Sequence, residues 1–223
     1  MRPLIIMRPE PGASASASAA GQLGLKAVVV PLFAVQPVKW RAPDPREFDG
    51  LLLTSANAVR HGGSEVDRVR DLPAHCVGEG TAAAARDAGF SIASVGAGGL
   101  DALLAKLPAD MRLLHLSGRD RREPQAPNQS IRAIPVYEAV RLPAPKSCKA
   151  FEGAVVAVHS PRAASRLAEL ADEEGLRRET IGIVAISDEA AAAAGARWLT
   201  VKAAANPNDS ALLALAASLC NNL

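Results

Sequence analysis

Short, fully apolar runs recur along this chain, and alanine-rich stretches with helical spacing lie between them. That alternation limits the fold more than any other feature. Strands are expected at Leu4–Met7, Ala27–Val35, Gly50–Ser55, His75–Val77, Ser91–Val95, Leu113–Leu116, Ile131–Val140, Ala154–His159, Ile181–Ile186 and Trp198–Val201. Helical segments among the intervening stretches include Thr81–Ala88, Asp101–Leu107, Pro161–Ala171 and Ser210–Leu219. Strands that are apolar at successive positions suit a sheet buried on both faces. The alternation therefore predicts an α/β fold with parallel sheets and flanking helices.

The chain also repeats itself. Leu53-Thr54-Ser55-Ala56-Asn57-Ala58-Val59 matches Val158-His159-Ser160-Pro161-Arg162-Ala163-Ala164. Gly89–Val95 matches Gly195–Val201, and Ala102-Leu103-Leu104 matches Ala211-Leu212-Leu213. A near-constant offset marks a duplicated α/β unit. The copies are not consecutive. Five expected strands fall between Gly50 and Val140 and three follow Ala154, which leaves two at the N-terminus. Assigning those two to the second copy gives five and five. Val30–Val35 also matches Ile134–Val140. The expected division is thus residues 1–34 plus 142–223 as one discontinuous domain, 41–134 as the other, and 35–40 and 135–141 as interdomain linker strands. Two adjacent crossings would make a hinge with a cleft between the domains, and ligands favour such clefts and the carboxyl ends of parallel strands.

Composition removes several functions. With 49% hydrophobic residues the chain is not a disordered tail. Its 25 basic and 23 acidic residues lack the basic excess of a duplex-DNA binder, so no nucleic-acid partner is expected. Ala27–Val35 is far too short to span a membrane, which takes roughly 20 residues. Leu4–Met7 is likewise too short for the apolar part of an export signal, about 7–15 residues, and reads as a buried strand. Cys76, Cys148 and Cys220 form neither a metal spacing nor a disulfide framework, so a reducing cytoplasm is expected. The four histidines are isolated, so no metal is expected, and His115 reads as a core residue. Gly78-Glu79-Gly80-Thr81 lacks the rest of a dinucleotide fingerprint, and no phosphate-binding Gly-Lys-Ser/Thr loop occurs.

What remains is a set of strand ends. Thr54-Ser55-Ala56-Asn57, Gly78 to Thr81, Ser117-Gly118-Arg119 and Ser160-Pro161-Arg162 each put small or hydroxyl residues where a helix is expected to start. Such ends bind carboxylate or phosphate through free backbone N–H groups, or they are ordinary helix caps. Both readings are open. Tyr137 is the only tyrosine, it lies on an expected crossing, and its repeat mate is Phe33, which has no hydroxyl. One phenol at a duplicated ring position suggests a single proton donor; the bland reading is strand packing.

Taken in order, Arg8-Pro9, Thr54–Val59, Val77-Gly78-x-x-Thr81-Ala82, Gly118-Arg119, Val136-Tyr137-Glu138 and Ser160-Pro161 resemble the uroporphyrinogen-III synthase family over nearly the whole chain. The resemblance implies two α/β domains joined by a two-stranded linker. It implies a cofactor-free cyclising lyase that closes hydroxymethylbilane to uroporphyrinogen III with inversion of ring D. It also implies a catalytic role for Tyr137 in helping the terminal hydroxyl leave; a phenol is protonated at neutral pH. Substrate carboxylates are expected to meet Arg8, Thr54, Ser55, Asn57, Gly78, Thr81, Gly118, Arg119, Ser160 and Ser187. The enzyme is expected to act as a cytoplasmic monomer on its tetrapyrrole. Ala190 and Ser187 replace the family's usual threonine and glycine, and 119–130 looks too short for the usual helix. The alternative is a non-catalytic, two-lobed protein that binds a small anion.

Overall fold

In the computed structural model, which describes residues 1–222, the chain runs β1 (Leu4–Ile6), α1 (Gly12–Gln22), β2 (Ala27–Val29), β3 (Phe33–Pro37), β4 (Gly50–Leu53), α2 (Ala56–His61), β5 (Ala74–Cys76), α3 (Glu79–Asp87), β6 (Ile92–Val95), α4 (Gly99–Leu104), β7 (Arg112–Gly118), β8 (Ser130–Arg141), β9 (Val155–Val158), α5 (Pro161–Glu173), β10 (Gly182–Ala185), α6 (Asp188–Ala194), β11 (Thr200–Ala203) and α7 (Asp209–Asn222). It divides into two compact units, Met1–Ala34 with Arg141–Leu223, and Val35–Val140. The expected single strand Ala27–Val35 is two strands. Pro31 has no N–H to give a ladder, and β2 ends before it. Helix α1 was not expected, because its alternating Ala-Ser sequence has no apolar period; it buries only Ala13, Ser16 and Ala20.

The first unit holds a sheet in the order β11-β10-β9-β1-β2, parallel throughout. The second holds β3-β8-β7-β4-β5-β6, parallel from β8 to β6. At the other edge, β3 lies beside β8, with Val38 N–H donating to Val136 O and Leu142 N–H to Leu32 O. Without β3, the two orders superimpose when β2, β1, β9, β10 and β11 are matched to β8, β7, β4, β5 and β6. The registers agree. Val158 is the mate of Leu53, so Val155 matches Gly50. These pair with Leu4 and Leu113, which pair in turn with Ala27 and Ile131. The same step along the chain, which in the first unit passes the break at Pro31, then lands on Phe33 and Tyr137.

The units differ in what covers their sheets. In the first, Ile5, Val156 and Ile183 face α5 and α6, while Leu4, Ile6, Val155 and Val184 face α1 and α7. In the second, Leu51, Leu53, Leu114 and Leu116 face α2 and α3. Its other face has only the small cluster of Leu52, Leu113, Leu103 and Leu104 under α4. The segment after β7, matching the place of α1, forms no helix. Prolines at 124 and 127 remove two backbone donors, and the connection to β8 is short. The expected helix start at Ser117-Gly118-Arg119 is therefore absent.

Gln129 anchors that segment. Its side-chain amide donates to the carbonyls of Leu104, Leu107 and Pro108 at 3.0, 3.1 and 3.1 Å, where α4 ends. The Leu104 and Pro108 carbonyls also accept the Leu107 and Met111 N–H groups, so the amide adds a second donor to these two and is the side-chain donor to Leu107 O. Gln129→Ala is expected to destabilise the second unit by about 1–3 kcal/mol, read as a lower denaturant midpoint at unchanged slope.

Candidate functional site

In the second unit, the carboxyl ends of β4, β5 and β7 open on a cavity of about 300 Å³ lined by Thr54, Ser55, Val77, Leu100, Gly118, Asp120, Arg121, Arg122 and Tyr137. It lies where the covering helix is missing. Strand β4 delivers Thr54 and Ser55. The Ser55 hydroxyl accepts the Asn57 N–H at 3.2 Å, which caps α2. Thr54 Oγ1 lies 3.0 Å from His115 Nε2.

Tyr137 reaches the cavity through a break in the ladder. Ser117 pairs with Pro135, but Gly118 pairs with Tyr137, so Val136 is skipped. A bulge of this kind re-aims the side chain that follows it. The ring then lies against Gly118, where an added Cβ would sit 3.0 Å from two ring carbons and 3.1 Å from the phenol oxygen. A larger residue there would make the ring give by a few tenths of an ångström. The His61 ring is 6.5 Å away, centroid to centroid. Burial, with Arg60 adding to it, lowers the His61 pKa, so this neighbour favours its neutral form.

Four of the expected site residues, Thr54, Ser55, Gly118 and Tyr137, meet in this cavity. Asn57 lies in α2, Gly78 begins α3 without a side-chain cap, and Thr81 is buried within α3. Arg119 donates from Nε to Glu138 at 2.8 Å. In the first unit, Ser160 and Ser187 accept the N–H groups of Ala163 and Ala190, so both hydroxyls act as caps. Arg121 and Arg122 were missed by the sequence reading. Arg121 pairs with Glu123 at 2.6 Å and Arg122 with Asp101 at 3.8 Å. Their signal is the Arg-Asp-Arg-Arg run at 119–122, of which the Gly118-Arg119 motif takes in only the first residue.

The matching edge of the first unit is closed by side chains. Asp209 accepts from Ser16 at 2.7 Å, lies 2.8 Å from His159 Nε2, and pairs with Arg8 at 3.4 Å. Burial pushes the Asp209 carboxyl up, but the hydrogen bonds of His159 and Ser16 and the nearby positive charges outweigh it, so its pKa lies below the ordinary value. A folded pKa below the unfolded one gives stability that is complete above about pH 4 and is lost as pH falls through the folded value. Asp209→Asn is therefore expected to melt lower than wild type at neutral pH, and the gap should narrow in acid thermal scans.

Gly118→Ala is expected to displace the phenol. Fluorotyrosine-labelled protein should give one resonance, from Tyr137, and that resonance should shift in the variant. An unchanged shift would mean the ring does not rest on Gly118.

Among the described residues, no group of three or more His, Cys, Asp or Glu side chains is arranged to hold a metal, and no helix is long and apolar enough to cross a membrane. The family model for uroporphyrinogen-III synthase HemD matches residues 14–214. No curated protein sequence matches the chain significantly. The fold is similar to the crystal structure of uroporphyrinogen-III synthetase from Helicobacter pylori, at 18% identity and a TM-score of 0.70, covering 98% of this chain and 100% of that one. It is also similar to a mutant uroporphyrinogen III synthase from the extremely thermophilic bacterium Thermus thermophilus, at 17% identity and a TM-score of 0.53, covering 97% and 98%.

Proposed function

The chain belongs to the uroporphyrinogen-III synthase family, the cyclising lyases of heme biosynthesis, and on that premise we propose that the cavity of the second unit is where its reaction takes place. The reaction closes hydroxymethylbilane to uroporphyrinogen III with ring D inverted. One observation supports this location above others: the chain's single phenol shares a cavity with two guanidinium groups and two hydroxyls.

In this reading Tyr137 donates its proton to the terminal hydroxyl of the substrate, which leaves as water. The pyrrole N–H on the same ring gives up its proton, restores the phenol and leaves a neutral azafulvene. Ring D attacks that carbon to form the spiro intermediate. Arg121 and Arg122 hold acetate or propionate groups by charge-assisted hydrogen bonds. Their present pairs with Glu123 and Asp101 are solvent-exposed and weak enough to be replaced. Asn57, Gly78, Thr81 and Arg119, of the same unit, are outer contacts for further carboxylates. Arg119 would first have to leave Glu138. The protein acts as a single chain in the cytoplasm, in keeping with three buried, unpaired cysteines.

Hydroxymethylbilane also closes unaided, to the symmetric isomer. The enzyme must therefore hold the chain curled with its last ring turned, and positioning of this kind is worth up to about 7–11 kcal/mol. Incubation of the protein with fresh hydroxymethylbilane should give mostly the inverted isomer with no metal or nucleotide added. Tyr137→Phe should fold, since Phe33 fills the mate position, and should lose at least about tenfold in that product. A wild-type reaction that leaves only the symmetric isomer would return the chain to the anion-binding alternative. Full activity in Tyr137→Phe would remove the phenol from the mechanism alone.

A further inference from the structure

His115 sits where the fold does not ask for a histidine. Its strand β7 is central, and the residue is 2% exposed on the face that carries Leu52 and Leu113. Burying an imidazole among leucines is unfavourable unless its nitrogens are satisfied. The register that matches Leu4 to Leu113 makes Ile6 its mate in the first unit, and Ile6 is fully buried. An aliphatic side chain therefore serves the same position in the same fold. What His115 has instead is a partner: its Nε2 lies 3.0 Å from Thr54 Oγ1. Thr54 lines the cavity and His115 does not. Next on the same face of β7, the Ser117 hydroxyl is buried with no partner. Ser117 is followed directly by Gly118, which lines the cavity.

We propose that His115 is a positioning residue for the cavity: its Nε2–H donates to Thr54 Oγ1 and so turns the Thr54 hydroxyl proton toward an anionic group of the substrate. The inference rests on reading the cavity as the substrate site. Burial, reinforced by the charge of Arg121, lowers the His115 pKa to about 4. The ring is therefore neutral at working pH, with one nitrogen donating and the other not. Arg121 and Arg122 on the same cavity make an anion the group to be met, and against an anion a hydroxyl must donate. A donor from behind is what leaves that proton free. With Nε2–H as the donor, the Thr54 proton is not taken up by the imidazole.

The test compares Thr54→Val, His115→Leu, His115→Gln and the double variant Thr54→Val/His115→Leu, with KM and kcat measured on hydroxymethylbilane. His115→Leu should raise KM about tenfold with kcat within about twofold, the pattern of a lost ground-state contact. His115→Gln, whose amide N–H can stand where Nε2–H stood, should return to within about twofold of wild type. The double variant should be no worse than Thr54→Val alone. Imidazole ¹⁵N spectra should show the Nε2–H tautomer in wild type and a shifted Nε2 resonance in Thr54→Val. A wild-type KM in His115→Leu, additive losses in the double variant, no rescue by glutamine, or an Nδ1–H tautomer would each overturn the inference while leaving the cavity reading intact. An unchanged KM in Thr54→Val would also overturn the inference alone, whereas an unchanged KM in Arg121→Ala and Arg122→Ala as well would take the cavity reading with it. If His115→Leu does not fold, the tautomer and its response to Thr54→Val decide the matter on protein that keeps His115.

Discussion

Parallel strands hydrogen-bonded side by side bring all their carboxyl ends to one edge, and nearly everything of interest in this protein lies along such edges. The backbone leaves no choice in the matter once the ladder is parallel. Thr54, Val77 and Gly118 come together because β4, β5 and β7 run in one direction and in register. In the other unit the same rule collects Arg8, His159 and Ser187 at the ends of β1, β9 and β10. The two edges share one construction and differ in what stands over them.

That difference is a matter of coverage. A sheet in this fold is buried on both faces by helices, and the first unit meets the demand with α1 and α7 on one side and α5 and α6 on the other. The second unit has a proline-bearing loop where α1 would be. The thin cluster under α4 leaves room above the strand ends, and the loop supplies arginines in place of a small-residue helix face. The ring positions tell the same story. Phe33 is buried with the Arg162 guanidinium 4.5 Å above it, while Tyr137 is half-buried and lines a cavity. One copy has become scaffold at this position and the other has stayed open.

Much of this could be read from residues. Continuous apolar runs gave the strands because burial on both faces leaves a plain signature at Leu51–Leu53 and Val155–Val158. The repeat led to Phe33 and Tyr137 as mates, and the strand registers reach the same pair by a separate route. Helix α1 escaped because a face of Ala13, Ser16 and Ala20 carries no hydrophobic contrast. The break at Pro31 was hidden inside an apolar run. Arg121 and Arg122 lie in an Arg-Asp-Arg-Arg run within a segment too short for the usual helix, but a run of like residues does not say which of them reach the cavity. The bond between Thr54 and His115 joins distant parts of the chain, and neither residue announces the other.

The discontinuity of the first unit has a consequence for how the chain is made. Residues 35–140 form one continuous segment, so the second unit is complete in sequence as soon as β8 has been synthesised. Strand β1 is in a different position. It is an interior strand of its sheet, and its second neighbour, β9, lies beyond the entire other unit. Until Val155 arrives, β1 and β2 can pair only with each other and present open edges, the state most prone to wrong pairing. Closure of so long a loop is slow. On the ribosome the insert therefore has all its strands before the unit that holds β1 has its own, and domains fold as units.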